Sequence, residues 1–217
     1  MPTIVDRQRA YLNSLAQGAA DGSVLWPAWT TIAPGVARPK LDSHLLALAA
    51  LPYARGRILD TFAGSGIVGL TLRPRADLLH FIDVNPNAVS AIRARCAADN
   101  LTVVAEVGDV FPRDPHRFDT IVANPPYTDA VPTRLVDRVC FDAGNASTRR
   151  FIALLAERLA PKGNAFLSWA DYTAQSVEVW CAEAGLRCEI CAELGEPSKV
   201  DSQEMIRYRV YRLQAKD

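Results

Sequence analysis

Short apolar runs alternate along the chain with stretches whose apolar positions recur every three to four residues. That alternation predicts strands interleaved with amphipathic helices. Five runs read as buried parallel strands: Gly56–Asp60, Leu79–Asp83, Thr102–Val107, Thr120–Ala123 and Ala165–Trp169. Two later runs, Arg187–Leu194 and Met205–Leu213, flank a polar loop and predict an antiparallel finish to the sheet. Helical periodicity falls on Ser43–Leu51, Ile67–Arg73, Asn87–Ala98, Thr148–Leu159 and Ala174–Ala184, with Pro161-Lys162-Gly163 expected to stop the fourth of these. The pattern predicts an α/β fold: a doubly wound, Rossmann-like sheet of about seven strands, the last antiparallel, with helices on both faces. Residues 1–40 differ, since Asp6–Ala20 reads as one helix and 22–39 is rich in Pro, Gly and Trp. The expected division is an extension over 1–40, placed to act as a substrate lid, and one α/β domain over 41–217.

Composition narrows the class without naming a function. The 217 residues are long enough for one well-buried domain, and 22% charged with 49% apolar is ordinary for a globular protein. Twenty-four basic and 24 acidic residues give zero formal charge, which counts against a nucleic-acid partner because phosphate binding usually leaves a basic excess. Cys96, Cys140, Cys181, Cys188 and Cys191 are odd in number, and Cys188-Glu189-Ile190-Cys191 has no second pair or spaced histidines, so free thiols in a reducing cytoplasm are expected rather than zinc. The opening residues carry no apolar signal core, and no apolar run spans a bilayer, so a cytoplasmic protein with no membrane contact is expected.

Chemistry concentrates at strand ends. Asn124-Pro125-Pro126-Tyr127 closes the fourth strand, and two prolines cannot continue a ladder because neither has an N–H and each restricts its predecessor. The resulting stiff turn offers the Asn124 amide oxygen and main-chain carbonyls as fixed acceptors, with the Tyr127 ring beside them. Such a site suits a planar group bearing N–H bonds: an amide, a guanidinium or the exocyclic amine of a base. Upstream, Asp60-Thr61-Phe62-Ala63-Gly64-Ser65-Gly66-Ile67-Val68-Gly69 turns the first strand into a helix, where glycines admit a ligand close to the backbone. Gly64-x-Gly66-x-x-Gly69 also fits a dinucleotide fingerprint. Against a pyrophosphate there, Asp60 stands four positions before the first glycine and would repel it, whereas an ammonium group would be attracted. Asp83 ends the second strand, where an acid can take both ribose hydroxyls, and Asp109 follows the third. Asp129, Asp142, Trp169 and Asp171 follow strand ends and are expected near the pocket.

This ordered set resembles the class I S-adenosylmethionine-dependent methyltransferases, which carry an acid-x-x-x-Gly-x-Gly loop, acids after strands two and three, and Asn-Pro-Pro-Tyr after strand four. The resemblance covers roughly residues 36–213. It implies S-adenosyl-L-methionine as cofactor, with Asp60 and Gly64–Gly66 at its methionine part, Asp83 at the ribose and Asp109 at the adenine. It also counts Phe62, Ala63, Val84, Val110, Asn124, Pro39 and Ser43 among the cofactor-binding residues. Asn124, Pro125 and Tyr127 become catalytic by the same resemblance, the first two accepting the substrate N–H bonds and Tyr127 stacking on the planar acceptor. Pro34–Ser43 and Asp142-Ala143-Gly144-Asn145 are similar to segments of the glutamine methyltransferases that modify translation release factors (HemK-like). That likeness implies that a Pro and the acid of Pro34–Ser43 approach the cofactor, and that the acceptor is an amide or guanidinium nitrogen, either on a protein side chain with a partner subunit supplying recognition or on a smaller amino-acid-like molecule. Methylation of an adenine or guanine amino group in RNA or DNA is the alternative, and a cofactor-binding subunit without activity a third.

Overall fold

The computed structural model describes residues 3–17, 32–171, 176–197 and 205–216. Helices α1 (Ile4–Ala16) and α2 (Leu41–Ala50) precede an alternating series: β1 (Gly56–Thr61), α3 (Ile67–Leu72), β2 (Ala76–Asp83), α4 (Pro86–Ala98), β3 (Val104–Val107), β4 (Phe118–Ala123), α5 (Ala146–Arg158), β5 (Leu159–Ala170), α6 (Val177–Glu183), β6 (Leu186–Pro197) and β7 (Met205–Ala215). The strands form one sheet in the order β3-β2-β1-β4-β5-β7-β6, with β7 antiparallel to both its neighbours and the β1–β5 pairs parallel. Strand order reverses between β1 and β4, so the carboxyl ends of those two strands open a crevice where ligands of doubly wound sheets bind.

Residue alternation explains the layering. In β4, Ile121 and Ala123 enter one core and Val122 the other; in β5, Ala165 and Leu167 oppose Phe166 in the same way. One core is closed by Phe151, Ile152 and Leu155 of α5 with Val177 and Trp180 of α6. The opposite one is closed by Leu46, Ala47 and Ala50 of α2, Ile67, Val68 and Leu72 of α3, and Val89 and Ile92 of α4. Both faces being covered is why the central strands read as continuous apolar runs.

Several boundaries differ from the sequence expectation. β3 is only four residues long, starting at Val104 rather than Thr102. Pro161-Lys162-Gly163 does not terminate α5, which already ends at Arg158. These residues instead bulge from the start of β5, whose register with β4 jumps from Phe118↔Leu159 to Thr120↔Asn164. Gly163 is required there, because a Cβ would sit 2.9 Å from the Ala160 carbonyl oxygen and 3.0 Å from that of Phe118. α1 ends at Ala16, and most of the expected hairpin-like segment (18–31) lies outside the described residues, as do 172–175 at the start of the helix expected from Ala174. No helix among the described residues is long and apolar enough to cross a membrane.

Candidate functional site

A cleft opens at the carboxyl ends of β1, β2 and β4. One wall is laid down by the β1–α3 turn. Phe62, Gly64 and Gly66 there all have positive φ (57°, 53° and 77°), and Gly66 caps α3. A Cβ on Gly66 would come within 2.9 Å of Ile92, so glycine is needed for space as well as for conformation. Asp83, at the end of β2, ties this turn down: its Oδ2 accepts the Gly64 N–H at 2.8 Å and its Oδ1 the Asn85 N–H at 2.8 Å. Burial raises the Asp83 pKa, partly offset by those two donors. Val84, Gly108 and Val110 complete this side.

The other wall carries Asn124 and Pro126, with Leu135, Arg138 and Val139 from a 3-10 turn (Leu135–Val139) facing them. Behind Asn124 lies a polar cluster. The Asn124 Nδ2 donates to Ser43 Oγ at 3.2 Å and more weakly to Asp42 Oδ2 at 3.4 Å. The Tyr127 hydroxyl reaches Asp42 Oδ2 at 3.0 Å, Ser168 Oγ at 2.9 Å and the Asn124 Oδ1. Burial pushes the Tyr127 phenol well up, and the Asp42 charge pushes it further, so the hydroxyl stays protonated as a donor. Its ring is not open to a ligand: Tyr127 is 8% exposed and meets Trp169 edge-on at 5.7 Å.

Of the expected site residues, Phe62, Gly64, Asp83, Val84, Val110 and Asn124 line the cleft. Pro125 and Pro39 are buried beside it, and Ser43 reaches it through Asn124. Ala63 and Gly66 shape the turn through main-chain bonds to Ile82 and to each other. Asp60 is 3% exposed and turned toward α3, where its Oδ2 accepts the Gly69 N–H at 2.8 Å. Burial pushes its pKa up to about 8, the Asp83 charge adding to the rise and the Gly69 bond opposing it. Asp109 points away from the cleft into an ion pair with Arg150 at 2.5 Å.

The four acids and aromatics expected near the pocket have other work. Asp129 accepts the Gly144 N–H, Asp142 caps the start of α5 through Ser147, Asp171 accepts the Arg207 N–H, and Trp169 packs in the core. Cys188 and Cys191 lie on β6, with a register shift between Ile190 and Ala192. Among the described residues no group of three or more His, Cys, Asp or Glu is placed to hold a metal.

Sequence reasoning missed Ser168, Asn85 and the 3-10 turn, and met Asp42 only as the acid of Pro34–Ser43, a segment the release-factor likeness brings toward the cofactor. Asn85 had a readable signal, standing directly before Pro86 as a helix N-cap.

Residues 37–171 match the family described as Methyltransferase small domain. Over 108 residues the chain is 38% identical to "Ribosomal RNA small subunit methyltransferase C" of Salmonella choleraesuis, covering 47% of this chain and 31% of that protein. It thus spans about a third of the length of the curated relatives it matches. Among solved structures, the ribosomal protein L11 methylase of Lactobacillus delbrueckii subsp. bulgaricus superposes with TM-score 0.61 at 16% identity, covering 91% of each chain. A T. thermophilus 16S rRNA N2 G1207 methyltransferase, in complex with AdoMet and guanosine, gives 0.59 at 23% identity over 85% of this chain and 46% of that one. At such identities these two likenesses show the fold.

Proposed function

The chain belongs to the Methyltransferase small domain family, and on that premise we propose that it methylates an exocyclic amino nitrogen of a purine base in RNA, using S-adenosyl-L-methionine. The observation that carries the reading is Asn124-Pro125-Pro126 at the end of β4, facing the glycine turn and Asp83 across one cleft. Curated relatives 36–38% identical over half the chain bear the name ribosomal RNA methyltransferase, and one structural neighbour holds guanosine. These favour guanine N2 over the amide or guanidinium acceptor implied by likeness to the release-factor enzymes. They also outweigh the argument from zero net charge, which concerns the whole chain and not the surface around the cleft.

The residues present fit the cofactor. Gly64 and Gly108 leave the backbone bare along the cleft, and a Cβ on Gly108 would meet Ile82 at 2.6 Å. The Asp83 carboxylate stands at the end of β2 where hydroxyls of a ribose would be met, and Phe62 and Val110 supply apolar walls for a planar ring. Once bound, the cofactor supplies an electrophilic methyl group on a sulfonium. The protein's part is positioning: Asn124 Oδ1 and the Pro125 carbonyl accept the amino N–H bonds of the base, which aims the nitrogen lone pair along the line of transfer. The Asn124 Oδ1 is open to an incoming N–H when the Tyr127 hydroxyl turns its proton to Asp42. Transfer to that nitrogen would need no base from the protein, since the proton displaced by the new N–C bond could leave to solvent. Pro126 and Leu135, rather than Tyr127, offer apolar contact to the face of the base.

The test is transfer of labelled methyl from the cofactor to protein-free ribosomal RNA, to release factors and to guanidino or amide metabolites. Label is expected in RNA alone, in a methylated purine after digestion. Asn124→Ala should retain cofactor affinity and lose transfer by a factor on the order of a hundred or more. Label in protein or metabolite and none in RNA refutes the assignment.

A further inference from the structure

α1 does not float over the domain. Leu12 and Leu15 bury against Phe141, with Val136, Val139 and Cys140 packed around them, so the helix sits on the loop that follows Asn124-Pro125-Pro126-Tyr127. Arg134 bridges the two pieces, donating to Asn13 Oδ1 at 3.0 Å while its other nitrogens bind the buried Asp137. Burial would raise the Asp137 pKa, but the donors from Arg134 and Thr133 outweigh it and hold the carboxylate well below its ordinary range. On the other side the Gly35 N–H reaches the Leu15 carbonyl at 2.9 Å, and the Gly35 carbonyl accepts from Asn85 at the cleft. One continuous surface therefore runs from α1 through 33–40 to the 3-10 turn, ending at the mouth of the cleft.

Its charge is lopsided in a chain whose total is zero. Arg9 lies 5.3 Å over the Phe141 ring and Lys40 3.6 Å over the Tyr11 ring, both exposed, and Arg138 lines the cleft mouth. Arg134 is spent on Asp137. The exposed acids are Asp6, engaged with Thr3 at the helix start, and Asp129, engaged with Gly144. Among these cations stand Val131 and Leu135, exposed at 67% and 46%. Cations spaced along a rim with apolar side chains between them suit a strand whose phosphates run past the cleft while its bases meet apolar surface.

We propose that this rim, built by α1, residues 33–40 and the 3-10 turn, is the RNA-docking surface, with Arg9 and Lys40 contacting phosphates that flank the methylated base. This rests on the RNA reading above. Much of this rim, including the whole of α1, lies outside the residues that match the family.

The experiment measures binding of a fluorescein-labelled fragment of small-subunit ribosomal RNA by anisotropy across a potassium chloride series. It compares the wild type, the pair Arg9→Gln/Lys40→Gln, and the charge-keeping pair Arg9→Lys/Lys40→Arg. Losing two phosphate contacts should lower the salt slope by about 1.4 and weaken binding on the order of tenfold near 0.1 M salt. The charge-keeping pair should bind as the wild type does, and both pairs should keep the wild-type melting temperature and cofactor affinity. If both pairs bind RNA as wild type does, the rim is wrong and the RNA reading stands. Equal weakening in both pairs means packing rather than charge, and overturns the rim too. If the wild type binds the RNA with no salt dependence, or takes its methyl group to a protein instead, the RNA reading falls and the rim with it.

Discussion

Asp42 does not itself line the cleft, yet its place in the cluster behind Asn124 predicts a large effect on transfer. The Tyr127 hydroxyl has one proton and three oxygens in reach, Asp42 Oδ2 at 3.0 Å, Ser168 Oγ at 2.9 Å and the Asn124 Oδ1. A carboxylate is the stronger acceptor, so Asp42 draws the proton and leaves the Asn124 oxygen to the substrate. Asp42→Ala should turn the phenol proton onto Asn124 Oδ1, where it competes with the incoming amine. It should also free the Asn124 amide, whose Nδ2 would keep only Ser43 at 3.2 Å. The stability cost comes from the charge-assisted Tyr127 bond, worth about 1.5–3 kcal/mol, and from the bond that Asp42 Oδ1 accepts from the Ser43 N–H at 2.7 Å, while Tyr127 keeps Ser168 at 2.9 Å. For a chain of this size that lowers the melting temperature by at least about 3–10 °C. The larger effect is kinetic. Misplacing a reactive group by about 1 Å costs up to about a hundredfold, so kcat should fall between roughly ten- and a hundredfold. Cofactor affinity by calorimetry should stay within about twofold, a split that general unfolding would not give. Asp42→Ala/Tyr127→Phe removes the competing proton and should recover part of the lost rate. An unchanged kcat in Asp42→Ala, or a double variant slower than the single, refutes the reasoning.

Two further outcomes follow from the acids of the first two strands. Asp83→Ala removes the acceptor of the Gly64 and Asn85 N–H groups together with the proposed ribose contact. Cofactor affinity should fall about ten- to a hundredfold by calorimetry, and unchanged affinity removes Asp83 from the cofactor site. Asp60 titrates near 8 when folded, far above an unfolded aspartate, so the folded state holds the proton more tightly. Its contribution is fully present below about pH 4 and is lost as pH rises through 8. Asp60→Asn keeps an acceptor for Gly69 and should flatten the decline in urea stability between about pH 4 and 8; a parallel decline in both proteins refutes the assignment.

The strand and helix pattern was legible because both sheet faces are covered, so each central strand announces itself as an apolar run. What failed was local. Pro161-Lys162-Gly163 carries every mark of a helix stop, yet the β4–β5 pairing claims Leu159 first and pushes those residues into a bulge. The site was legible where chemistry sits at strand ends, as at Asp83 and Asn124. It was not legible where roles depend on direction: Asp60 and Asp109 stand at the expected positions, but one faces α3 and the other Arg150. Tyr127 is the same case, since a one-dimensional reading puts its ring beside the acceptor and the fold turns it against Trp169. Asp42, more than eighty positions away in sequence, has no local signal that it meets Asn124.

The two sides of the cleft are held by different means, and the difference bears on what each can recognise. On the cofactor side, Phe62 and Val110 both sit at positive φ, 57° and 67°, a conformation costing roughly 1–3 kcal/mol for side chains of this kind. Thr61 ties the two strained turns together, its hydroxyl donating to the Val110 carbonyl at 2.5 Å from the neck of the first turn. Strain held by a buried cross-link fixes geometry tightly, which suits a ligand that is the same in every turnover. The acceptor side has Asn124 on a rigid turn but takes its opposing wall from a 3-10 segment packed on α1, where Leu12, Leu15 and Phe141 are the buried apolar core among the described residues and Arg134 adds a polar tie between Asn13 and Asp137. Few buried apolar contacts mean a low cost of local opening. On the RNA reading proposed above, the wall that would meet the base is the more lightly packed one, and the wall that would hold the cofactor is the one fixed by strain and a buried cross-link.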